Sequence, residues 1–340
     1  MDRRNFMRAS GALALGGLAS APIARAQTKQ IRAALGWINN VEYAGVWMGL
    51  ENGYFREEGI ELTTLPGGPN APPPPVTVAA GGAEFGFATW LPFLDAVNRG
   101  NDFVLVGGTF PVSPLGILSL PGKPIKSAAD IIGKKILAQG PNERTAIDAT
   151  LALNNLPKTW EFVPAGFSPE PLLAKAGDGY TAFGTNQAVT LEVKMGLVRD
   201  KDFFFTSFDS MGYKAYAGLV FCPRAYLQAE RPTVVKFMRA LTRGWIADLK
   251  DPAVAARLCV TKYGADLGLD LKQQTRQNEL QYAMLKNPAK PDQKLMVLDR
   301  ESISGPMYAA AKASGREKLP EVDRLCDFTV MQEVHASIKG

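Results

Sequence analysis

Apolar and polar positions along this chain alternate between two rhythms. Ile31-Arg-Ala-Ala-Leu-Gly-Trp37 reads as a strand that runs into a turn-rich Ile-Asn-Asn. Residues 42–52 are then apolar at helical spacing through Tyr43, Val46, Trp47 and Leu50, with Gly53 at the C-terminal stop. Residues 59–65 alternate as a second strand. Four prolines, Pro72 to Pro75, lead into an apolar run to Ala80, and proline suits the first turn of a helix, where an N–H has no partner. Residues 84–88 form a short buried strand, 91–99 a helix and 103–107 another strand. Strands alternating with helices imply a parallel sheet, whose ligand sites lie beyond the carboxyl ends of the strands.

The same grammar restarts mid-chain. Residues 134–138 are a strand, 139–142 a loop and 145–154 a helix, and Ser168-Pro-Glu-Pro171 opens a further helix with Ser168 as its cap. Two α/β halves of this kind would set two groups of strand-end loops face to face. Residues 113–119 and 216–221 read as extended crossovers between them. From Pro232 onward the pattern is mainly helical, over 233–249, 252–263, 272–285 and 300–313. A length of 340 residues accommodates two such domains.

The start of the chain has a different character. Arg3, Arg4 and Arg8 precede an apolar stretch from Gly11 to Ala21, followed by Ala24-Arg25-Ala26. That is the layout of a secretory signal, and Arg3-Arg4 with Phe6 and Arg8 resembles the twin-arginine export motif. The apolar stretch is too short to span a bilayer. Residues 1–26 are therefore expected to be a signal peptide cleaved after Ala26, leaving a periplasmic protein that is not inserted in the membrane. Of the formal charge of +5, the segment holds +3, and the remaining 34 basic against 32 acidic residues give no footprint for nucleic acid.

Composition also limits the chemistry. The one histidine, His335, sits near the end of the chain in a tail expected to fray, and three cysteines, Cys222, Cys259 and Cys326, are scattered. Neither a nucleophile–base pair, a zinc spacing nor a phosphate loop can be assembled from the motifs present. No catalytic residue, metal or cofactor is expected, and binding without chemistry is the simplest reading. The strand tips offer Trp37, Tyr43, Trp90, Phe110 and Phe167 together with Asn39, Asn40, Thr89, Asn142 and Asn186. Aromatic faces can sandwich a flat ring and amides supply mixed donors and acceptors, although core packing is an even alternative for Trp37 and Trp90 and the more expected one for Phe110 and Phe167. Arg144 is the one basic residue at a strand-end tip, open to either an anion contact or a solvated surface role.

Taken together, these segments resemble a known family. Trp37-Ile-Asn-Asn-Val-Glu-Tyr-Ala-Gly45, Glu51-Asn-Gly-Tyr-Phe-Arg-Glu-Glu-Gly-Ile-Glu61, Ala79–Ala88 and Ser127–Lys135 are similar to periplasmic solute-binding proteins of ABC importers for nitrate, sulfonates, taurine and thiamine pyrimidines. The resemblance implies an α/β, two-lobed periplasmic binding protein of type II with two crossover segments. Residues 27–115 and 220–340 would form lobe one and 116–219 lobe two. It also implies a monomer that closes around one small molecule and delivers it to a permease. Glu192 matches an acidic position of the pyrimidine-binding branch, while Tyr180 stands where the family often has an acid. A small heteroaromatic ligand, of the thiamine-pyrimidine or flavin type, is expected; an organic anion such as an aromatic sulfonate or carboxylate is the alternative. A related enzyme type makes thiamine pyrimidine and resembles this chain at the Trp-x-x-Asn segment, but it uses an active-site histidine donor and a cysteine cluster, whereas here the one histidine is His335 near the end of the chain and the cysteines are dispersed.

Overall fold

The computed structural model describes residues 28–68 and 70–338, so the expected signal peptide lies outside the described residues. Two five-stranded sheets organise the chain. The first has the order β2-β1-β3-β10-β4, built from β1 (Lys29–Ala34), β2 (Ile60–Leu65), β3 (Phe85–Ala88), β4 (Phe103–Phe110) and β10 (Ala217–Pro223). The second has the order β7-β6-β8-β5-β9, from β5 (Leu115–Ser119), β6 (Lys135–Ala138), β7 (Glu161–Pro164), β8 (Gly179–Phe183) and β9 (Phe204–Ser207). β1 runs parallel to β2 and β3, and β6 parallel to β7 and β8. β10 and β5 are each inserted antiparallel between two neighbours of their sheet.

That insertion corrects the crossover reading. The chain changes sheets within residues 111–114 and again within 208–216, and the segments taken for crossovers are mostly β5 and β10 themselves. Leu115 therefore belongs to the second sheet and residues 217–219 to the first. The apolar runs that looked like connectors are central strands, buried on both faces, and such strands read as continuous apolar runs with no alternation. The register explains why loops converge. Ala34 pairs with both Leu65 and Gly86, so β1, β2 and β3 end together, and their following loops open on one edge. In the second sheet Leu137 pairs with Tyr180, which brings the ends of β6 and β8 to the facing edge.

Helices cover the sheets. The helix Ala44–Glu51 crosses the long helix Arg224–Asp248 at a glycine contact, where a Cβ on Gly244 would stand 1.8 Å from the Gly45 carbonyl oxygen. No side chain fits there. The long helix begins before Pro232, not after it, and bends at Glu230 (φ −128°, ψ 28°), because a proline within a helix offers no N–H and crowds the preceding turn. Phe85 of β3 stacks on Phe237 at 3.9 Å, fixing the long helix to the first sheet, and Trp47 stacks on Tyr263 at 4.6 Å, joining two helical segments of the covering layer. Among the described residues, no helix is long and apolar enough to cross a membrane.

Candidate functional site

A cavity of about 250 Å³ lies between the two sets of strand-end loops. From the first sheet it is lined by Gly36, Trp37, Glu42, Tyr43, Phe87 and Thr89, and from the second by Gln139, Asn142, Glu143, Phe183, Asn186 and Gln187. A wall of Pro72 to Pro75 closes one side. Gly67 lets this wall approach: a Cβ there would sit 2.4 Å from the Leu35 carbonyl oxygen. Its N–H instead donates to the Trp37 carbonyl at 2.9 Å.

The turn after β1 is held rigidly. The Asn40 Oδ1 accepts from the Glu42 N–H at 2.8 Å, capping the short turn Val41–Tyr43, and Trp47 Nε1 donates to the Asn40 carbonyl at 2.7 Å. From behind, Gln274 Oε1 accepts from Val41 N–H at 3.0 Å and Gln281 Nε2 donates to Val41 carbonyl at 2.6 Å. Glu42 is thereby presented to the cavity and Tyr43 packs edge-on to Phe87. Across the cavity, Thr89 Oγ1 donates to Asn142 Oδ1 at 2.8 Å, and Asn142 Nδ2 donates to Glu143 Oε1 at 2.9 Å. This chain of hydrogen bonds joins the two sheets' loops. A second bridge runs from Gln273 Nε2 to the carbonyl and Oδ1 of Asn186, both at 3.3 Å.

Both cavity carboxyls are perturbed. Burial pushes Glu42 up to about 7, opposed by the neighbouring Tyr43 hydroxyl. Glu143 is also raised by burial, opposed by the Asn142 amide and by the backbone N–H groups at the start of the helix Pro141–Leu153. Tyr43 is driven well above the usual phenol range by burial and by the nearby Glu42. Among the described residues, no lysine, arginine or histidine lines the cavity.

Of the residues picked from the sequence, Trp37, Tyr43, Thr89, Asn142 and Asn186 face this cavity. Others lie elsewhere. Trp90 is fully buried, donates Nε1 to the Met307 carbonyl at 2.9 Å and stacks on Tyr308, because it opens the helix Trp90–Asn98 and turns inward. Phe110 packs edge-on to Trp245 beneath the cavity floor. Arg144 is exposed and lies over the Phe162 ring, away from the lining. Glu192 pairs with Arg199 at 2.6 Å, so its carboxylate is already engaged. Asn39 donates to the Tyr263 carbonyl at 2.8 Å and Asn40 serves the turn. Phe167, 58% exposed, borders a separate groove of about 360 Å³ that shares Trp37, Asn186 and Gln187 with the cavity.

Sequence reasoning missed Glu42, Glu143 and the proline wall as site components. A carboxylate at the first helical turn after a strand was the available signal, but Glu42 served only to mark a helix start. His335 also differs from expectation. It is half-buried on the helix Thr329–Ser337, with Nε2 2.9 Å from the Leu295 carbonyl oxygen, since this last helix packs against the long one. The three cysteines are buried free thiols, and burial raises Cys222 and Cys326 to about 12, which makes them packing residues. Tyr180 is buried with its hydroxyl donating to the Gly166 carbonyl at 2.8 Å. No group of three or more metal-ligating side chains occurs among the described residues.

Residues 40–255 match the family model described as NMT1/THI5 like. The chain belongs to the NMT1/THI5-like family. A relative of this NMT1/THI5-like chain in Legionella pneumophila, 4-amino-5-hydroxymethyl-2-methylpyrimidine phosphate synthase, is 26% identical over 244 residues, which are 67% of this chain and 72% of the relative. Among solved structures, the ligand-binding component of an ABC-type import system from Staphylococcus aureus with zinc bound superimposes with a TM-score of 0.66 at 9% identity, over 90% of this chain and 99% of that one. The alkanesulfonate-binding protein of Xanthomonas axonopodis pv. citri bound to MOPS gives 0.61 at 18% identity, over 87% and 95%. At these identities the likeness shows the fold, which is that of a type II periplasmic binding protein.

Proposed function

We propose that this NMT1/THI5-like chain is an exported solute receptor of an ABC importer, capturing a small heteroaromatic molecule by closure of two lobes. The supporting observation is the cavity itself, walled by aromatic and amide side chains from both sheets and bridged by the Thr89–Asn142 hydrogen bond. Closure about the two connections would bury the ligand and create the surface a permease reads. Trp37, Tyr43 and Phe183 offer ring faces, and Asn142, Asn186 and Gln139 offer hydrogen bonds. The anion alternative finds no basic side chain in the lining among the described residues. Synthase activity like that of the Legionella relative is disfavoured, since His335 is engaged at Leu295 and not in the cavity.

A thermal-shift screen of the purified protein against pyrimidines, flavins, sulfonates and aromatic carboxylates tests this reading. A ligand at 100 times its Kd adds about 2.7 kcal/mol. That corresponds to several degrees in a protein of this size, at roughly 2–4 °C per kcal/mol. Stabilisation by ring heterocycles, with the compound recovered intact, is expected. Turnover of the bound compound would contradict the receptor reading.

A further inference from the structure

We propose that the ligand carries a positively charged, N–H-bearing planar group held between Glu42 of one lobe and Glu143 of the other, so that the ligand itself supplies the counter-charge that lets the cleft close. This deepens the receptor reading and rests on it.

The placement of the two acids carries the argument. Glu42 comes from the turn after β1 and Glu143 from the first turn after β6, and both line one cavity. Neither has an ion-pair partner among the described residues, whereas most other buried or half-buried acids of the molecule do, as with Arg239–Glu58, Arg316–Asp95 and Arg231–Asp327. The surrounding wall is glycine, proline, aromatic carbon and neutral amides, and among the described residues no side chain in it carries a positive charge. Two like charges brought together in such a space repel, so closure of the empty cleft is opposed. A cation between them converts the repulsion into two charge-assisted hydrogen bonds.

The hydrogen-bond chain adds direction. Thr89 donates to Asn142, and that orients the Asn142 amide to donate to Oε1 of Glu143, leaving Oε2 for another donor. Closing the lobes therefore aims Glu143. Trp37, Tyr43 and Phe183 add aromatic faces to which a delocalised cation is attracted. The chemistry described is that of an amidine, a guanidine or a protonated amino-heterocycle.

Protons are coupled to this. The groups that face the two carboxyls are the Tyr43 hydroxyl, the Asn142 amide and the N–H groups of Gly140 and Glu143. Tyr180 and Tyr213 feel Glu143 at longer range, and the Arg316–Asp95 pair flanks Tyr213. Burial raises Tyr180 and Tyr213 above the usual phenol range, so a change in binding near neutrality reports the carboxyls. A cation binds the ionised form, so affinity should fall as pH drops below about 7, and binding near pH 7 should release part of a proton.

The test uses three probes of one shape: benzamidine (cation), benzamide (neutral) and benzenesulfonate (anion). Isothermal titration of the purified protein at pH 7.5 is expected to give the order benzamidine, then benzamide, with benzenesulfonate weakest. Glu42→Gln and Glu143→Gln should each weaken benzamidine by about tenfold to a hundredfold, the range of a charge-assisted hydrogen bond, and leave benzamide nearly unchanged. Titration in two buffers of different ionisation heat should show proton release with wild type and less with Glu42→Gln. Both variants are isosteric, and an unshifted or raised melting point of the free protein certifies their folding. Benzamidine binding no tighter than benzamide, including no detectable binding of either, overturns the charge assignment. A benzenesulfonate that binds best while the lobes close in small-angle scattering would also overturn it, and would leave the receptor reading intact. Covalent change or turnover of any probe would instead break the receptor reading.

Discussion

Glu42 follows β1 of the first sheet and Asp248 ends the long helix packed on that sheet, and burial pushes both carboxyls up to about 7. Their surroundings are opposite. Glu42 is half-buried and faces open space with a tyrosine beside it. Asp248 is wholly enclosed, and its Oδ1 accepts from Asn278 Nδ2 at 2.8 Å, while the Tyr282 hydroxyl donates to its backbone carbonyl. Asn278 in turn accepts from Gln281, which donates to the Val41 carbonyl beside Glu42. One acid is thus part of a packed amide layer and the other is what that layer presents to a ligand. A raised pKa alone does not mark a functional site, and a cavity is what separates the two cases.

The largest effect expected concerns the aromatic version of the same contrast. Trp90→Ala should cost about 3–5 kcal/mol of stability, since it empties a core position, with little change in ligand affinity beyond the loss of fold. Trp37→Ala should hardly move the melting point but weaken ring ligands by roughly 1 kcal/mol or more. Denaturant melts and titrations of both variants check this, and the reverse pattern would exchange their roles.

Next comes the amide layer. Asn278→Leu strands Oδ1 of Asp248 and the side chain of Gln281, so about 2–3 kcal/mol of stability should be lost by urea melts. Because the layer holds the Val41 turn, cation affinity should fall as well, which a surface role for Asn278 would not produce.

The pH dependence sharpens the comparison further. A carboxyl raised from 4.5 to about 7 binds more protons in the folded state, so stability is lost as pH rises between those values and is flat above them. For Glu42 the full shift would be on the order of 3 kcal/mol. Contact with water in the cavity cuts it to about 1–2 kcal/mol. Glu42→Gln should therefore make the free protein more stable at pH 8 and flatten the slope between pH 5 and 7. Asp248→Asn should flatten it further, with Glu143 contributing part of what is left. A slope unchanged in both variants would move its origin elsewhere.

The smallest effect belongs to the bridge. Thr89→Val removes the hydrogen bond to Asn142 and should weaken ligand binding by about 1 kcal/mol, a few-fold in Kd, without altering which probe binds best.

Much of the fold was readable because its strands and helices follow their two periods closely, as in residues 31–65 and 134–154. The central strands β5 and β10 were misread as connectors because a strand buried on both faces carries no alternation to distinguish it. At the site, Trp37, Tyr43, Thr89, Asn142 and Asn186 could be picked as strand-end residues. Whether a side chain at such an end turns to the cavity or to the core depends on where the next helix starts, and that is how Trp90 differs from Thr89. Glu192 looked available until Arg199, seven residues later and past a left-handed Gly196 that ends the helix, folded back onto it. Glu42 went unrecognised because its significance lies in what is absent around it, and one-dimensional spacing does not show an empty space.

The most direct test is native mass spectrometry of the protein purified from the cells that make it, without added ligand. A single small molecule with a basic ring nitrogen, released intact on denaturation and absent from the Glu42→Gln variant, is the predicted result. A bound sulfonate or carboxylate held equally well by wild type and Glu42→Gln, or a covalently modified chain, would contradict the account.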